Sequence, residues 1–372
     1  MSSSISIVKI GTSSITQPSG ELDETALVKL ADDLVSARVA GRKVVLVMSG
    51  AIAAGMPALG ITTRPSDVGT LQAIAAVGQP RLIERMSALL GKHDVVAGQV
   101  LLTPYDLLHR SQYLHARVTL QTLLNLGVLP IVNENDTVAD DEIRYGDNDR
   151  LAALVAHMLT ADVLVMLTDT AGLFTADPRH SDEASLIEEV LEVDGALEQF
   201  AGGTGSERGS GGMASKLAAA KIAAWSGVRA VIASAAAPDV VVDALAGRAV
   251  GTTFAPRAQR LPSRKLWIAF ARPSEGKIIV DAGARRALVE GGRSLLAAGV
   301  RGVEGDFDLD AAVEIADGDG SVFAKGLCRG YSSESLQSYK GRQTAELPPG
   351  FPDEVIHRDD LVLLPAIGEK TP

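Results

Sequence analysis

Continuous apolar runs alternate with helical apolar stripes up to about residue 255. Ile5–Ile10 alternates and then becomes apolar, Leu22–Arg38 carries apolar residues at helical spacing, and Val44–Met48 is apolar throughout. Strand, helix and strand form a βαβ unit, and strands that are apolar on both faces are typical of a parallel sheet covered by helices on both sides. The pattern predicts an α/β domain with three αβα layers and an open, mainly parallel sheet.

The same alternation continues along this region. Further strands are predicted at 95–102, 128–132, 163–167 and 228–233, and further helices at 68–90, 112–126, 149–159, 214–225 and 240–245. Loops rich in Ser, Thr, Asp, Asn or Gly follow the carboxyl ends of the strands. Because those ends meet at one edge of a parallel sheet, where open α/β sheets bind their ligands, we expect the polar loops to lie together.

The pattern changes near residue 255. Residues 256–264 contain two prolines and three arginines without periodicity, which is typical of a linker. Short strands are predicted beyond it, with one helix at 282–290; the strands are at 266–270, 276–280, 313–315, 321–327 and 361–364. We therefore expect a large α/β domain at 1–255, a linker at 256–264 and a small β-rich domain at 265–372.

Composition and charge narrow the function. The chain has 372 residues, enough for two domains, and a formal net charge of −11. Residues 275–372 carry 11 Lys or Arg and 17 Asp or Glu, a net charge of −6, which argues against a nucleic acid partner. Cys328 is the only cysteine, so a cysteine-based metal site is excluded. Without a signal-peptide pattern or a membrane-spanning run of about 20 apolar residues, we expect a cytoplasmic protein with no membrane association.

The densest group of polar residues is Asn133–Arg150, NENDTVADDEIRYGDNDR. It follows a predicted buried strand and leads into a predicted helix, so Asp147, Asn148 and Asp149 lie where the first N–H groups of that helix are free. This position favours a ligand-binding loop. An acidic surface loop that caps a helix is the alternative.

Three other segments have the chemistry of a phosphate site. Lys9 and Gly11 end the first strand, and Ser49 and Gly50 follow the second, so an ammonium group, a hydroxyl and exposed amides are available there. The glycine-rich loop SERGSGGMASK at 206–216 leads into a helix with Lys216 in its first turn, which suits an anion. A solvated lysine, a glycine turn and a glycine linker are the ordinary alternatives.

Thr168 and Asp169 follow another strand and begin the polar segment TDTAGLFTADP, which could hold a ribose and a base. A plain turn is the alternative. Neither common nucleotide fingerprint, G-x-x-x-x-G-K-[ST] or G-x-G-x-x-G after a strand, occurs in the chain. The histidines form no H-E-x-x-H pair, and no G-x-S-x-G nucleophile motif is found.

Taken in order, these segments resemble the amino-acid kinase family. The resemblance rests on VKIGTSS at 8–14, SGAIAAG at 49–55, AAVGQ at 75–79, NENDTVA at 133–139, GDND at 146–149, LTDTAGLFTADPR at 167–179 and GSGGMASK at 209–216. It covers about residues 5–255, and the C-terminal region is similar to a PUA domain. Ser210 is one departure, since the family pattern has Thr before the two glycines.

The resemblance implies transfer of a phosphoryl group from Mg-ATP to the γ-carboxylate of L-glutamate, the first step of proline biosynthesis, with proline as inhibitor. The expected ATP site consists of Lys9, Gly11, Thr168, Asp169, Ser210, Gly211, Gly212, Met213, Ala214, Ser215 and Lys216. The expected glutamate site consists of Ser49, Gly50, Asn133, Asp136, Asp147 and Asn148. We expect Mg²⁺ to be carried by ATP, with no metal ligand assigned on the protein, and we expect a homo-oligomer.

Our mechanistic hypothesis gives each charged residue a role. Lys9 and Lys216 flank the moving phosphoryl group, with the amides of Gly11 and Gly50 assisting, and Asp149 orients both ammonium groups. Asp136 binds the α-ammonium group of the amino acid. Three alternatives stay open: a kinase of the same fold for another acid such as aspartate or carbamate, RNA binding by the C-terminal domain, and a non-catalytic amino-acid sensor.

Overall fold

The computed structural model describes residues 4–17, 19–138, 148–178, 180–181, 183–194, 197 and 212–364. The chain forms two compact units. Unit 1 comprises Met1–Val193 and Leu197–Arg260, and unit 2 comprises Asp194–Ala196 and Leu261–Pro372. The division after Arg260 falls within the segment where we expect the linker.

Unit 1 is built on an eight-stranded sheet. Its strands are β1 (Ile5–Ile10), β2 (Lys43–Met48), β3 (Ala97–Leu102), β4 (Leu129–Glu134), β5 (Val163–Thr168), β6 (Glu189–Val190), β7 (Arg229–Ser234) and β8 (Thr252–Phe254). They lie in the order β3-β4-β2-β1-β5-β7-β8-β6, and every neighbouring pair is parallel except β7 and β8. The prediction of a mainly parallel sheet is confirmed.

Helices of unit 1 connect these strands. They are α1 (Glu24–Val39), α2 (Ala51–Gly55), α3 (Val68–Gly91), α4 (Pro104–Leu108), α5 (Arg110–Asn125), α6 (Asn148–Leu159), α7 (Met213–Trp225) and α8 (Val240–Ala246). Aliphatic side chains of the central strands are buried against apolar faces of helices, as the continuous apolar runs require. Two N-caps are visible in the sequence: Asp23 accepts from the amide of Ala26, and Asp67 from that of Thr70.

Helices α2 and α3 touch backbone to backbone because two glycines face each other across the contact. A Cβ atom at Gly78 would lie 1.8 Å from the carbonyl oxygen of Ala51, and one at Gly55 would lie 2.1 Å from that of Ile74. Any side chain at either position would force the helices apart. The contact therefore fixes the position of α3 relative to the loop after β2.

Unit 2 contains a five-stranded sheet and a two-stranded sheet. Its strands are β9 (Gly276–Val280), β10 (Leu295–Leu296), β11 (Val300–Glu304), β12 (Ala311–Ala316), β13 (Val322–Cys328), β14 (Glu354–Ile356) and β15 (Leu361–Leu363). The larger sheet has the order β11-β9-β12-β13-β15, and β10 pairs with β14. Apart from the parallel pair β9–β12, all pairs are antiparallel. The predicted β-rich character is confirmed.

Our prediction of a strand at 266–270 is wrong. Helix α9 (Ser263–Leu266) continues into a π-helical turn, Trp267–Ala271. A short apolar run does not distinguish a buried strand from a buried helical turn by periodicity alone. The buried ammonium group of Lys325 donates to the carbonyl oxygens of Ala269 and Arg272, so it satisfies backbone groups at the end of this turn.

Unit 2 also has more helix than we expected. The predicted helix at 282–290 is α10 (Ala282–Val289), capped by Asp281. A second helix, α11 (Ser333–Tyr339), follows β13, and the Ser332 hydroxyl accepts from the amide of Ser335. The helix is only seven residues long, so it has too few apolar positions to give a helical stripe.

The contact between α2 and α3 predicts opposite effects for two glycines of one helix. Gly78→Ala would place its methyl group against the Ala51 carbonyl, so we expect the free energy of unfolding to fall by roughly 1–3 kcal/mol or more. Gly69→Ala is the matched control, because its nearest neighbouring atom is 4.0 Å away; helix propensity should stabilise this variant by up to about 1 kcal/mol. Chemical denaturation measures both, and equal values for the two variants would contradict the steric account.

Candidate active site

The carboxyl ends of four strands bring the predicted site residues to one edge of the sheet. Strand β1 lies between β2 and β5 and is parallel to both, with Ile10 in register with Met48 and Leu167. Strand β4 lies on the other side of β2 and is also parallel. Residues that end or follow these strands must therefore lie on the same edge, as the sequence predicts.

Asp149 lies at the centre of this edge and binds two lysines. Its Oδ1 is 2.6 Å from Lys9 Nζ and its Oδ2 is 3.2 Å from Lys216 Nζ. The Ser215 hydroxyl also donates to Oδ2, at 3.2 Å. All three charged side chains are buried, and the Asp149 side chain is completely inaccessible to solvent. The cluster of Lys9, Asp149 and Lys216 carries one excess positive charge.

Local structure explains how these three groups meet. Lys9 is the next-to-last residue of β1, Asp149 is in the first turn of α6, and Lys216 is in the first turn of α7. A carboxylate is favourable at a helix N-terminus, whereas an ammonium group there is not. The ion pair with Asp149 compensates for the placement of Lys216 near the positive end of α7.

The pKa of Asp149 reflects the balance between burial and charge. Burial alone raises the pKa of a carboxyl group, but the charges and hydrogen bonds of Lys9 and Lys216 outweigh burial and lower the pKa of Asp149 below its ordinary value. Asp149 is therefore a carboxylate at neutral pH. Asp33 shows the opposite balance: burial raises its pKa, and its single, half-exposed partner Lys29 offsets this only in part.

A network of neutral amides lies beside the charged cluster. Asn148 Nδ2 donates to Ser49 Oγ at 2.7 Å and to Asn133 Oδ1 at 3.0 Å. Asn133 Nδ2 in turn donates to Gln79 Oε1 at 2.6 Å. Since Ser49 accepts from Asn148, its own hydrogen remains available to donate to a ligand. Asn148 Oδ1 is buried and accepts no hydrogen bond from the described residues, so it can accept one from a ligand.

Gly50 follows Ser49 and needs to be glycine for two reasons. Its φ is +113°, in the left-handed region that disfavours a side chain, and a Cβ atom would lie 2.9 Å from Ile15 Cδ1. Gly11, after β1, lies beside the lysine, since a Cβ atom there would be 3.6 Å from Lys9 Nζ. Both glycines therefore leave room at the sheet edge.

Asp136 lies in the turn after β4 and is partly buried. Burial raises its pKa, and the positive charge of Arg64 offsets only part of that rise. A carboxylate that is partly removed from water, and whose negative charge is only partly balanced by a nearby positive charge, attracts a cationic group. The ammonium group of a small molecule has the charge and size for this position.

The remaining predicted residues are distributed as follows. Thr168 ends β5 and Asp169 follows it; the Thr168 hydroxyl donates to the Asp169 carboxylate at 3.0 Å. Gly212 precedes α7, and Met213 and Ala214 begin it. Asp147, Ser210 and Gly211 lie outside the described residues.

Gln79 is a polar member of this site that we did not predict as one. It lies in α3, which is 24 residues long and mostly apolar on its buried face, and it is 54 residues before its partner Asn133. The segment AAVGQ contains it, but spacing gave no reason to place α3 beside the loop after β4. The role of Arg64 near Asp136 had no sequence signal either.

Neither a metal cluster nor a membrane helix is found in the part of the chain that the structure describes. These residues contain no group of three or more His, Cys, Asp or Glu that could hold a metal ion. The carboxylate nearest the site centre, Asp149, is already bound to two ammonium groups. Within the same residues, no helix is both long enough and apolar enough to cross a membrane.

A separate cleft of about 610 Å³ lies in unit 2. The buried carboxylate of Asp360 lines it and binds the guanidinium groups of Arg264 and Arg329, the latter at 2.7 Å. These ion pairs join α9 to the end of β13. The cleft is in a different unit from the cluster of Lys9, Asp149 and Lys216.

Comparison with known proteins identifies two families. The model of the amino acid kinase family matches residues 4–234, and that of the PUA domain matches residues 276–350. The glutamate 5-kinase of Gloeobacter violaceus is 49% identical over 366 residues, covering 96% of this chain and 99% of that protein. The glutamate 5-kinase of Moorella thermoacetica is 46% identical over 362 residues, 96% of each chain. A solved structure, carbamate kinase from Giardia lamblia bound to AMP-PNP, is 19% identical with a TM-score of 0.49 and covers 69% of this chain and 99% of that one.

The burial of two ammonium groups around one carboxylate gives a stability prediction. Asp149→Asn keeps the shape but removes the buried carboxylate that Lys9 and Lys216 share, so we expect a loss of roughly 3–5 kcal/mol in the free energy of unfolding at pH 7. Adding Lys9→Met to Asp149→Asn removes one buried ammonium charge and should recover part of that loss.

Asp33→Asn is the control for this prediction. Folding raises the pKa of Asp33, so ionisation of this carboxyl group reduces the stability of the folded state at pH 7, and Asp33→Asn should have little effect or stabilise. Denaturation at pH 7 measures all three variants. A loss in Asp149→Asn no larger than that in Asp33→Asn would contradict the account.

Proposed function

The chain belongs to the amino acid kinase family, among its glutamate 5-kinases, and from this premise we propose how its own residues phosphorylate the γ-carboxylate of L-glutamate with ATP. The observation that carries the proposal is the cluster of Lys9, Asp149 and Lys216 beside the amide network of Ser49, Asn133 and Asn148. A cationic centre suits the phosphoryl group, and the adjacent network suits a small polar acceptor.

The acceptor chemistry requires no general base. The γ-carboxylate of glutamate, with a pKa of about 4.3, is ionised at neutral pH and is already a nucleophile. The obstacle is repulsion between this anion and the phosphates of ATP, together with the charge that spreads over the phosphoryl oxygens during transfer. Positioning and electrostatic stabilisation must therefore supply the catalysis.

Lys9 and Lys216 provide that stabilisation. Their ammonium groups lie on opposite oxygens of Asp149, so one carboxylate holds both in place before the substrates bind. Asp149 neutralises only one of the two charges, and the excess charge attracts the phosphoryl group. The amides of Gly11 and Gly50 add hydrogen bonds from the ends of β1 and β2. Thr168, Asp169 and the segment 210–216 hold the rest of ATP.

The part of the site that binds the amino acid recognises the α-ammonium group and a carboxylate of glutamate. Asp136 binds the α-ammonium group, and Asn148 Oδ1 accepts a hydrogen bond from the same group. The Ser49 hydroxyl donates to a carboxylate oxygen. Asn148 Oδ1, which has no hydrogen-bond partner among the described residues, and the raised pKa of Asp136 support these assignments.

The proposed activity also involves a metal ion, an inhibitor and association of subunits. Mg²⁺ reaches the site bound to the phosphates of ATP, since Mg²⁺ sites commonly use substrate phosphates and few protein carboxylates. Proline acts as inhibitor, the protein is a cytoplasmic homo-oligomer, and Asp147 contributes to the glutamate site. The net charge of −6 over residues 275–372 supports a structural or regulatory role for the PUA domain.

The proposed reaction is tested by ADP release from ATP with a panel of amino acids, in the presence of hydroxylamine to trap an acyl phosphate. We expect ADP release with glutamate, formation of the γ-hydroxamate, and much less of both with aspartate. Carbamate is included as the acceptor of another kinase reaction. ADP release without hydroxamate, or equal turnover with aspartate, would contradict the proposal.

Asp136 is tested through the glutamate KM and its pH dependence. Asp136→Asn removes the charge that attracts the α-ammonium group, so we expect the glutamate KM to rise roughly 10- to 100-fold with the ATP KM nearly unchanged. In the wild type, a raised Asp136 pKa means that the carboxylate is protonated at a higher pH than an ordinary Asp. As the pH falls, the glutamate KM should therefore begin to rise at a pH above the range in which an ordinary Asp titrates.

The pH profile of Asp136→Asn provides the internal comparison, since any dependence that it retains comes from the substrate or other groups. Asp67→Asn is the control variant, because Asp67 is an exposed aspartate at the start of α3 and Asn preserves the N-cap. If the ATP KM rises in Asp136→Asn while the glutamate KM does not, Asp136 belongs to the nucleotide site instead.

A further inference from the structure

Gln79 touches the amide network but has no part in the proposed chemistry. It is half-buried in α3, and its Oε1 accepts the hydrogen bond from Asn133 Nδ2 at 2.6 Å. This is a short hydrogen bond between two neutral side chains. Gln79 contacts Asn133, a member of the expected glutamate site, so it can influence the substrate through Asn133.

The hydrogen bonds of Asn133 are consistent with one orientation of its amide. Its Oδ1 accepts from the backbone amide of Glu134 at 2.9 Å and from Asn148 Nδ2 at 3.0 Å. If the amide were rotated by 180°, its NH₂ group would face these two donors and its oxygen would face Gln79 Oε1. Gln79 thus supplies the acceptor that matches the NH₂ side of Asn133.

The orientation of Asn133 determines that of Asn148. One N–H of Asn148 donates to Asn133 and the other to Ser49, so both donors are used inside the network. The opposite side of the amide, Oδ1, is left as an acceptor without a partner among the described residues. An acceptor there suits an ammonium group, whereas a rotated amide would present donors and repel it.

The backbone around Gln79 is held firmly. Gly78 lies against the backbone of α2, where a Cβ atom would be 1.8 Å from the Ala51 carbonyl oxygen and 2.5 Å from the Gly55 amide nitrogen. Pro80 follows, with a fixed φ and no N–H to donate within the helix. The backbone that carries Gln79 is therefore held in place on the helix that faces Asn133.

We propose that Gln79 is a positioning residue for the amino-acid substrate: it orients the amide of Asn133, which orients Asn148 so that Oδ1 faces the α-ammonium group. The inference rests on the proposed function, because it assigns a role within the glutamate site. Gln79 itself is not required to touch the reacting atoms.

The test replaces Gln79 by a residue of similar shape that cannot accept the hydrogen bond. Gln79→Met should raise the glutamate KM about five- to tenfold, the effect of losing a partly buried hydrogen bond, with kcat and the ATP KM within about twofold of wild type. Gln79→Glu retains an acceptor oxygen, so its glutamate KM should stay within about threefold of wild type. Gln121→Met is the matched control, because Gln121 is also half-buried in a helix of unit 1, and wild-type kinetics are expected.

A double-mutant cycle separates action through Asn133 from a general structural effect. In an Asn133→Ala background, Gln79→Met should change the glutamate KM by less than about twofold, since its partner is gone. The same five- to tenfold rise in both backgrounds, equal rises in the glutamate and ATP KM, or an unchanged glutamate KM in Gln79→Met would each overturn the inference. These outcomes require wild-type enzyme that phosphorylates glutamate, so they are distinct from failure of the proposed function.

Discussion

Asp149 is a buried carboxylate that holds two buried ammonium groups, and the geometry of the site depends on it. The three charges come from β1, α6 and α7, which are far apart in sequence but converge at one edge of the sheet. Burying any one of these groups alone would be strongly unfavourable, so each requires the others. The strand and two helix N-termini must therefore stay together for the fold to be stable. The same requirement places two positive charges in fixed positions before any substrate binds.

The excess positive charge of this cluster links stability to catalysis. A single carboxylate between two lysines offsets much of the electrostatic cost of burial, and within the cluster it balances one of the two positive charges. An anion that enters the site completes the balance, and an anion whose charge is spread over several oxygens can contact both lysines. The site is thus more favourable for a phosphoryl group in transfer than for water, without any rearrangement of the lysines.

The sequence predicted the sheet edge because parallel strands impose it. Once β1, β2, β4 and β5 are identified as apolar parallel strands, their polar carboxyl ends have to be neighbours, whatever the loops do. The sequence did not predict contacts made by residues that lie away from the ends of the strands. Gln79 lies within α3, a helix that packs closely on α2 through Gly55 and Gly78 and that contacts Asn133, which lies 54 residues later in the chain. Similarly, 266–270 has the composition of a strand, and the carbonyl oxygens at the end of its helical turn accept hydrogen bonds from Lys325 of β13, more than 50 residues later.

The two halves of the site recognise their ligands by different physical means. The lysine cluster acts through charge, which falls off slowly with distance and tolerates small differences in the acceptor. The network of Gln79, Asn133, Asn148 and Ser49 acts through hydrogen bonds, which depend steeply on direction and on which partner is the donor. A change in the substrate that accepts the phosphoryl group therefore need not alter Lys9, Asp149 or Lys216. It would instead require changes in the neutral network and in the helix contact that supports it. Those residues decide which atoms of the substrate face a hydrogen-bond donor and which face a hydrogen-bond acceptor.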